Sequence, residues 1–291
     1  MATISQKTLF TLPIAPSASQ PGGTLTCSTP LLPSPDSSSP QSNIYILTIS
    51  SPPDNRLTDT CCTTLLLALD ILEFSPQKYP PGVVITTSSL PKFFSNGLDL
   101  ENALSDPDFL PHKLYALFRR YLTYPMPTVA LLNGHAFAGG LMLAMHMDYR
   151  LMNPSRGFAC VNELDFGVPL KPAMSAIFRL KCVPQTYRKL VLEAHRFAGP
   201  EAKEAGIVDE LTDKNGLEDA MRFIGERRLQ DKCKSGIYGL LKGEMYRETV
   251  EQYLSVEGHG REEQRVKKQV EGEERRRAEG GKRVKEILSK L

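Results

Sequence analysis

The chain has 291 residues, of which 41% are hydrophobic and 23% are charged, and its formal net charge is +2. This is the composition of an ordinary soluble globular protein, long enough for a sizeable core in one large domain or two. The near-neutral charge does not support a nucleic-acid-binding surface, and no apolar run approaches the about 20 residues of a membrane-spanning helix.

The cysteines and the N-terminal residues indicate a reducing compartment. The six cysteines form no Cys-x-x-Cys pair and have no histidine at metal-ligand spacing. We therefore expect neither a disulfide framework nor a metal site. The N-terminus lacks a basic stretch followed by an apolar core, and no arginine precedes Arg56. These features predict neither a secretory signal nor a mitochondrial presequence.

The first 42 residues are rich in proline, serine and threonine. Within them, residues 24–27 are predicted to form an edge strand that pairs with residues 44–49. The Pro/Ser-rich stretch 29–42 between these strands would then be a long, solvated hairpin loop.

Strands and helices alternate over the next part of the chain, which predicts parallel strands joined by right-handed crossovers. Helices are expected where apolar residues recur at helical spacing, and strands where short apolar runs end at turn residues. The predicted helices are 57–74, 110–124 and 140–147, and the predicted strands are 83–87, 128–132, 148–152 and 158–161. Beyond about residue 170 the chain is predicted to be mainly helical, with a boundary near 195–210.

The last part of the chain carries a high density of charges of both signs. Residues 257–291 interleave arginine and lysine with glutamate, which is typical of a solvated helix rather than of a basic binding patch. The final residues, Ser289, Lys290 and Leu291, form the tripeptide of a peroxisomal import signal. We expect the peroxisomal import receptor to bind this tripeptide and deliver the protein to the peroxisomal matrix.

Two glycine-bearing turns, at 94–100 and 133–140, are the most informative feature of the sequence. Each follows a short apolar run that is predicted to be a buried parallel strand, and each leads into a helical segment. The N–H groups at the start of a helix have no partner within that helix. Two such turns on neighbouring strands can aim one N–H each at the same point, where they can stabilise the oxyanion of a thioester or another acyl carbonyl.

The two turns occur with three further motifs in a fixed order. The five motifs are Pro53-Asp54-Asn55-Arg56, the turn 94–100, the turn 133–140, Asn-Glu-Leu-Asp-Phe-Gly at 162–167, and Glu-Ala-Lys-Glu-Ala-Gly-Ile-Val-Asp at 201–209. In this order they resemble the crotonase family, the enoyl-CoA hydratase/isomerase superfamily, over about residues 44–211. The resemblance implies an α/β fold, with a spiral core of repeated ββα units of the ClpP/crotonase type and a C-terminal helical portion.

The composition, the predicted elements and the resemblance together suggest how the chain is divided. Residues 1–42 form an N-terminal segment, residues 43–200 the crotonase core, and residues 201–288 the helical C-terminal portion. Residues 289–291 are the targeting tripeptide. Members of the family form trimers or pairs of trimers, so the resemblance implies a homotrimer or a hexamer.

By resemblance, the backbone of both turns binds the substrate. The oxyanion-hole donors are placed at the N–H groups of Leu98 and Gly139. The pantetheine of a fatty enoyl-CoA thioester is expected to contact the first turn, largely through backbone, at Asn96, Gly97, Asp99 and Leu100. Arg56 and Lys92 are candidates for binding the CoA phosphates, although surface solvation explains both equally well. No metal or separate cofactor is implied, because CoA is part of the substrate.

The acid–base residues distinguish the reactions of the family. Hydratases carry two glutamates; Glu163 occupies the second of these positions, but Met142 occupies the first and is expected to line the pocket with apolar surface. Relatives that shift conjugated dienes use an acidic residue eight positions beyond the second glutamate, where this chain has Lys171. Asp165 is interpreted as structural. A lone Glu163 most resembles the Δ3,Δ2-enoyl-CoA isomerases, in particular the peroxisomal plant-type members.

The resemblance therefore implies an isomerase of fatty acid β-oxidation, in which one glutamate moves a proton from C2 to C4 of a 3-enoyl-CoA. Two alternatives stay open at this point. One is another crotonase reaction, either hydration of an enoyl-CoA or hydrolysis of an acyl-CoA thioester. The other is a non-catalytic subunit that binds acyl-CoA.

Overall fold

Two β-sheets carry the core of the molecule. The structure is a computed structural model that describes residues 4–17, 19–31, 43–213 and 216–290. The strands are β1 (Gln6–Ile14), β2 (Gly23–Pro30), β3 (Ile44–Ser50), β4 (Val83–Ser88), β5 (Phe93–Ser95), β6 (Thr128–Leu132), β7 (His135–Phe137), β8 (Tyr149–Met152), β9 (Ala159–Cys160) and β10 (Glu210–Leu211). Within the described residues, one sheet has seven strands in the order β1-β2-β3-β4-β6-β8-β10, and the other has three in the order β5-β7-β9.

Helices cover both faces of the larger sheet and form the C-terminal part of the chain. They are α1 (Asp59–Phe74), α2 (Leu100–Ser105), α3 (Tyr115–Leu122), α4 (Gly139–Met145), α5 (Glu163–Phe166), α6 (Pro172–Lys181), α7 (Pro184–Leu192), α8 (Gly199–Glu204), α9 (Gly216–Glu226), α10 (Leu229–Lys232), α11 (Tyr238–Met245), α12 (Arg247–Thr249) and α13 (Val256–Leu288). No helix in the described parts of the chain is both long enough and apolar enough to cross a membrane.

The central strands are parallel, as the alternation of elements predicts. β4 pairs with both β3 and β6 in parallel register, so the two strands that precede the glycine turns are neighbours. Their side chains alternate between two hydrophobic clusters: Val84 and Ala130 belong to the main core, whereas Ile85 and Val129 pack with Phe223 of α9. Because both faces are covered, these strands are continuous apolar runs in the sequence.

The N-terminal strands differ in one respect from the prediction for residues 24–27. β2 does pair antiparallel with β3, with Leu25 opposite Ile49 and Cys27 opposite Leu47. It is not the edge of the sheet, however, because β1 pairs with its other side. Most side chains of β1 are exposed or half-buried, so this strand lacks the apolar pattern that would reveal it. The loop predicted at 29–42 falls mainly on residues 32–42, outside the described residues.

The smaller sheet explains the spacing of the motifs. After each of β4, β6 and β8 the chain turns, forms a short strand of the smaller sheet, and then enters a helix: β5 before α2, β7 before α4, and β9 before α5. These are the repeated ββα units expected of the fold. The two predicted turns thus include paired strands: Ser95 of the first turn lies opposite Ala136 of the second, and Phe137 lies opposite Cys160 of the strand predicted at 158–161.

Three smaller differences concern helices and the last strand. The helix predicted at 110–124 begins as a π-helical turn over Leu110–Leu114 and continues as α3. Among the described residues beyond 170 there is one short strand, β10, which pairs in parallel with β8. The charged segment at the end of the chain forms one long helix, α13, that continues through its glycines.

A buried ion pair joins the C-terminal helices to the sheet. Lys242 of α11 lies 2.8 Å from Asp148, which directly precedes β8, and the two side chains are only 6% and 11% exposed. Lys242 also donates to the backbone oxygen of Tyr121, and Asp148 accepts hydrogen bonds from Thr128 and Tyr238. Each charge is therefore balanced by several partners in a region without bulk water.

We expect Lys242→Met to lower the free energy of unfolding by about 3–5 kcal/mol, because removal of one partner leaves the other charge buried and unpaired. Urea titration monitored by circular dichroism would measure the loss. The control is Lys234→Met, which removes a lysine that pairs with Asp231 on the surface and is 70% exposed. This control should not change the unfolding midpoint. Equal midpoints for all three proteins would contradict the prediction.

Candidate active site

A cavity of about 570 Å³ lies where the two glycine turns meet. Its wall combines residues of the first turn, of the second turn, of α5 with the segment that follows it, and of α13. The lining residues are Arg56, Asn96, Leu98, Leu100, Ala103, Asp106, Pro107, Leu110, Ala138, Asn162, Glu163, Phe166, Val168, Pro169, Lys171, Met174, His259 and Glu263. Ten of these eighteen residues are apolar, and the carboxyl groups among the others are those of Asp106, Glu163 and Glu263.

The first turn requires a glycine at position 97. Gly97 has a φ of +93°, which L-residues with a side chain rarely adopt. A Cβ atom at this position would also lie 3.0 Å from Cβ of Ala138 and 3.1 Å from N of Gly139. The first turn therefore packs directly against the second, with Leu98 at the point of contact.

The second turn has a strained residue just before α4. Ala138 has φ +48° and ψ −122°, and its N–H donates to the oxygen of Cys160 at 2.9 Å. Non-glycine residues in such a conformation cost about 1–3 kcal/mol and cluster at functional sites. This conformation turns the chain so that α4 starts at Gly139, whose N–H belongs to the unpaired first turn of the helix.

The two N–H groups assigned to the oxyanion hole lie close together and are free. A Cβ atom placed on Gly139 would be 3.3 Å from N of Leu98. Among the described residues, neither N–H donates to a backbone or side-chain acceptor. Two adjacent donors without acceptors, beside an apolar cavity, are suited to hold a negatively charged oxygen.

The carboxyl group of Glu163 faces the same cavity. Glu163 is the first residue of α5 and follows Asn162, and both Oε2 of Glu163 and Oδ1 of Asn162 are buried without a hydrogen-bond partner among the described residues. Burial raises the pKa of the Glu163 carboxyl group to about 7, because the ionised form loses its hydration. A carboxyl group with this pKa can both accept and donate a proton near neutral pH.

The structure brings together half of the residues that were predicted to bind substrate or catalyse. Arg56, Asn96, Leu98, Leu100 and Glu163 line the cavity. The side chain of Asp165 is exposed to solvent and does not line the cavity.

The other predicted site residues do not line the cavity. Gly97 and Gly139 shape it through the backbone, as described above. Asp99 is buried and accepts a hydrogen bond from the hydroxyl group of Ser19. Lys92 directly precedes β5, and its ammonium group lies 5.2 Å from the ring centroid of Phe93.

Met142 differs most clearly from its predicted place. It was expected to line the pocket, but it is fully buried in the main hydrophobic core and contributes nothing to the cavity wall. The reason is the direction of α4, all seven residues of which are buried. Because α4 is enclosed on every side, the side chain of Met142 packs against core residues and does not reach the cavity.

The sequence did not reveal the contribution of α13 to the site. His259 and Glu263 of this helix line the cavity, and Glu263 lies 2.7 Å from the ammonium group of Lys171. The segment was interpreted as a solvated helix because its charges are mixed. The spacing of four residues between His259 and Glu263 places both on one helix face, which is the one local pattern that could have suggested a shared role.

The amino-acid sequence is similar to a known protein family and to proteins of that family. Residues 39–286 match the family model described as enoyl-CoA hydratase/isomerase. Enoyl-CoA delta isomerase 3 of Arabidopsis thaliana is 31% identical over 216 residues, which cover 71% of this chain and 90% of that protein. The peroxisomal enoyl-CoA delta isomerase 1 of the same plant is 32% identical over 213 residues, which cover 71% and 88%.

Solved structures show the same fold at lower identity. Human mitochondrial delta3-delta2-enoyl-CoA isomerase superposes with a TM-score of 0.64 at 22% identity, over 79% of this chain and 95% of that chain. The apo enoyl-CoA isomerase of Mycobacterium tuberculosis gives 0.62 at 22% identity, over 73% and 91%. The ββα repeats and the cavity between their turns thus place this protein in the crotonase fold class. With the match over most of its length, the chain belongs to the enoyl-CoA hydratase/isomerase family.

Proposed function

We propose that this protein is a Δ3,Δ2-enoyl-CoA isomerase, which converts a 3-enoyl-CoA into the 2-trans-enoyl-CoA. The observation that carries the proposal is the carboxyl group of Glu163, with a pKa of about 7, in a mainly apolar cavity. In the described parts of the chain its Oε2 atom has no hydrogen-bond partner, and the two nearby backbone N–H groups of Leu98 and Gly139 have no acceptor. The delta isomerases of Arabidopsis, named above, give independent support at about one third identity.

The reaction needs one proton carrier and one anion site. The Glu163 carboxylate removes a proton from C2, and the electron pair of the broken C–H bond forms the C2–C3 double bond of the product. The electrons of the C3–C4 double bond move to C4, which takes the same proton from Glu163. In the intermediate the negative charge is shared with the thioester oxygen, held by the N–H groups of Leu98 and Gly139. No atom is gained or lost, and no cofactor besides the CoA of the substrate takes part.

The chemistry at the first glutamate position favours isomerisation over hydration. In hydratases of the family a second glutamate occupies the position of Met142, and together the two carboxyl groups handle a water molecule. Here that side chain is apolar and packed in the core, so it can neither hold nor activate water. A single carboxyl group is sufficient for a proton that leaves and returns to the same substrate.

The first experiment is a product analysis of the purified wild-type protein. With trans-3-hexenoyl-CoA we expect formation of the 2-enoyl thioester, followed by its ultraviolet absorbance. In parallel, trans-2-hexenoyl-CoA tests for 3-hydroxyacyl-CoA, and release of free CoA tests for hydrolysis. Hydration or hydrolysis that exceeds isomerisation would replace the proposal with that reaction, and acyl-CoA binding without turnover would indicate a binding subunit.

The rate should depend on pH through the Glu163 carboxyl group. Removal of the C2 proton requires the ionised form, and burial raises the pKa so that this form predominates only above about pH 7. We expect kcat/KM to fall about tenfold for each pH unit below this value, and to level off above it. A profile of kcat/KM from pH 5 to 9 would measure this. A flat profile down to pH 5 would indicate a base with an ordinary carboxyl pKa.

We further propose that the protein works in peroxisomal fatty acid β-oxidation, as a homotrimer or a hexamer. Two relatives from Arabidopsis carry the word peroxisomal in their names, and Ser289, Lys290 and Leu291 form the predicted import signal. An N-terminal fluorescent fusion should reach peroxisomes, and its variant without residues 289–291 should not. Light scattering after gel filtration would give the mass of the assembly.

A further inference from the structure

The segment 54–57 forms a rigid support for the first turn of the site. The N–H of Asn96 donates to the oxygen of Asp54 at 3.0 Å, and the N–H of Leu57 donates to the oxygen of Gly97 at 2.8 Å. The oxygen of Gly97 and the N–H of Leu98 belong to one planar peptide group. The bond from Leu57 therefore fixes the plane in which the Leu98 N–H points.

Arg56 fixes the next peptide group along the chain. Its Nη1 donates to the backbone oxygen of Leu98 at 3.0 Å, and its Nε lies 3.2 Å from Oδ2 of Asp54. The same carboxylate oxygen accepts a hydrogen bond from Nδ2 of Asn96 at 2.7 Å. Both peptide groups that flank the Cα atom of Leu98 are thus held, one by the backbone of Leu57 and one by the guanidinium group.

Asn55 completes the support from its buried position between these residues. It has a φ of +51°, its Nδ2 donates to the oxygen of Phe94 at 3.1 Å, and its own oxygen accepts from the Ser95 hydroxyl group at 2.7 Å. Every residue from 94 to 98 therefore has at least one hydrogen bond to segment 54–57. Within this support, Arg56 is the member whose side chain also lines the cavity.

We propose that Arg56 is a positioning residue, which holds the peptide group that follows Leu98 and so, through the Leu98 Cα atom, keeps the Leu98 N–H pointed at the thioester oxygen. The proposal rests on the isomerase function proposed above. The sequence had suggested Arg56 as a ligand of the CoA phosphates, but two edges of the guanidinium group are already bound to Leu98 and Asp54. Loss of the Arg56 guanidinium group is therefore expected to change the reaction at the thioester more than the binding of the CoA phosphates.

Lysine cannot take over this role. An ammonium group is one compact charge on a flexible stem, whereas the planar guanidinium group donates from Nε and Nη1 at fixed angles. Arg56→Lys keeps the positive charge near the cavity but cannot hold Asp54 and Leu98 in the same geometry. If Arg56 acts by positioning, Arg56→Lys should therefore lose activity, whereas a purely electrostatic role would be retained in this variant.

The test compares two substrates that differ only in the phosphorylated nucleotide of CoA. Wild type, Arg56→Lys and Arg56→Met are assayed with trans-3-hexenoyl-CoA and with the trans-3-hexenoyl thioester of pantetheine, which lacks the phosphorylated nucleotide. We expect kcat to fall about 10- to 100-fold in both variants and with both substrates. This loss is smaller than the about 10²–10³-fold loss that follows complete removal of an oxyanion donor, because the Leu98 N–H is still present but less well oriented. The KM for the CoA thioester should change less than about threefold.

Different results would overturn the positioning role of Arg56 and the proposed isomerase function. A loss confined to the CoA thioester, seen as a higher KM and relieved in Arg56→Lys, would assign Arg56 to phosphate binding and overturn the inference alone. An unchanged kcat in both variants would also overturn it. No turnover of either thioester by wild type would overturn the isomerase function, and the inference with it.

Two further variants control for a loss of folding. Arg120→Met removes another partly buried arginine, which pairs with Asp70 at 2.8 Å away from the cavity, and should leave both kinetic constants unchanged. Asp54→Asn keeps Arg56 but weakens its anchor, and should lower kcat in the same pattern by a smaller factor. Thermal unfolding of each variant shows whether the folded state is retained. A lower kcat in Arg120→Met equal to that of Arg56→Met would show a general structural effect and contradict the assignment.

Discussion

Replacement of Glu163 with glutamine is expected to lower kcat for isomerisation of trans-3-hexenoyl-CoA by about 10²–10⁴-fold, the usual contribution of a positioned acid–base group. Glutamine has nearly the same shape but can neither remove the C2 proton nor return it to C4. Position 142 carries a methionine, and Glu263, which also lines the cavity, is paired with Lys171. We therefore expect no other residue to restore the lost rate. The measurement is the rate of 2-enoyl thioester formation under substrate saturation.

The matched control is Asp165→Asn, which neutralises an exposed carboxylate two residues further along the same helix. It should retain wild-type kcat and the same pH profile. Equal activity of Glu163→Gln and wild type would contradict the role of Glu163 and favour a different base or a non-catalytic protein. Proton exchange at C2 in deuterated water, followed by NMR, would show directly whether the first step is lost.

The same variant also tests the burial of the carboxyl group through stability. In the folded protein the pKa of Glu163 is raised from its ordinary value of 4.5 to about 7, so folding disfavours the ionised form. The wild type should therefore lose stability as the pH rises from about 4.5 to about 7, and this loss should then stay constant. Glu163→Gln lacks this loss and should show a higher Tm than wild type at pH 8 but an equal Tm at pH 4. A lower Tm at pH 8 would contradict the burial of an unpaired charge.

The second large effect is expected at Gly140, where the two turns are in contact. A Cβ atom at this position would lie 2.4 Å from the backbone oxygen of Ser95 and 2.8 Å from its Cβ. Because backbone cannot yield as a flexible side chain can, Gly140→Ala must push the two turns apart. We expect kcat to fall about 10²–10³-fold, the effect of losing one oxyanion donor, with a larger change in kcat than in KM. Steady-state kinetics with trans-3-hexenoyl-CoA would measure both constants.

Two other glycines provide the controls for this variant. A Cβ atom at Gly139 would meet mainly Leu98 side-chain atoms, at 2.9 Å, and these can move aside, so Gly139→Ala should lose less activity than Gly140→Ala. Gly225 lies exposed within α9 with no atom within 4 Å of an added Cβ, so Gly225→Ala should keep full activity and gain slight stability. Full activity in Gly140→Ala, with a normal Tm, would show that the contact between the turns is not needed.

The sequence by itself determined the family and the order of the elements. Buried parallel strands are continuous apolar runs, and the glycine turns after them are needed because a side chain cannot fit at Gly97 or Gly140. Both signals are local, so they can be read without the fold. The parallel pairing of the strands before the two turns, and the pairing of residues 24–27 with the strand that follows, were predicted and are confirmed.

Other features depended on contacts between distant parts of the chain. β1 is a weakly apolar strand that is stabilised by pairing with β2, and β5 and β7 are too short to show a period. Met142 was assigned to the pocket from its position in a motif, but the packing around α4 places it in the core. Local sequence does not specify which face of a fully enclosed helix meets a cavity.

Only the tertiary structure decided the electrostatics of the site. The carboxyl group of Glu163 has an ordinary pKa in an extended chain, and burial in the cavity raises it. The cavity is closed in part by His259 and Glu263, about a hundred residues further along the chain, whose charged neighbours gave no sign of it. The guanidinium group of Arg56 likewise finds the oxygen of Leu98 only when segment 54–57 packs against the first turn. Sequence motifs specify which groups are available, but their partners and their exposure to water are fixed by long-range packing.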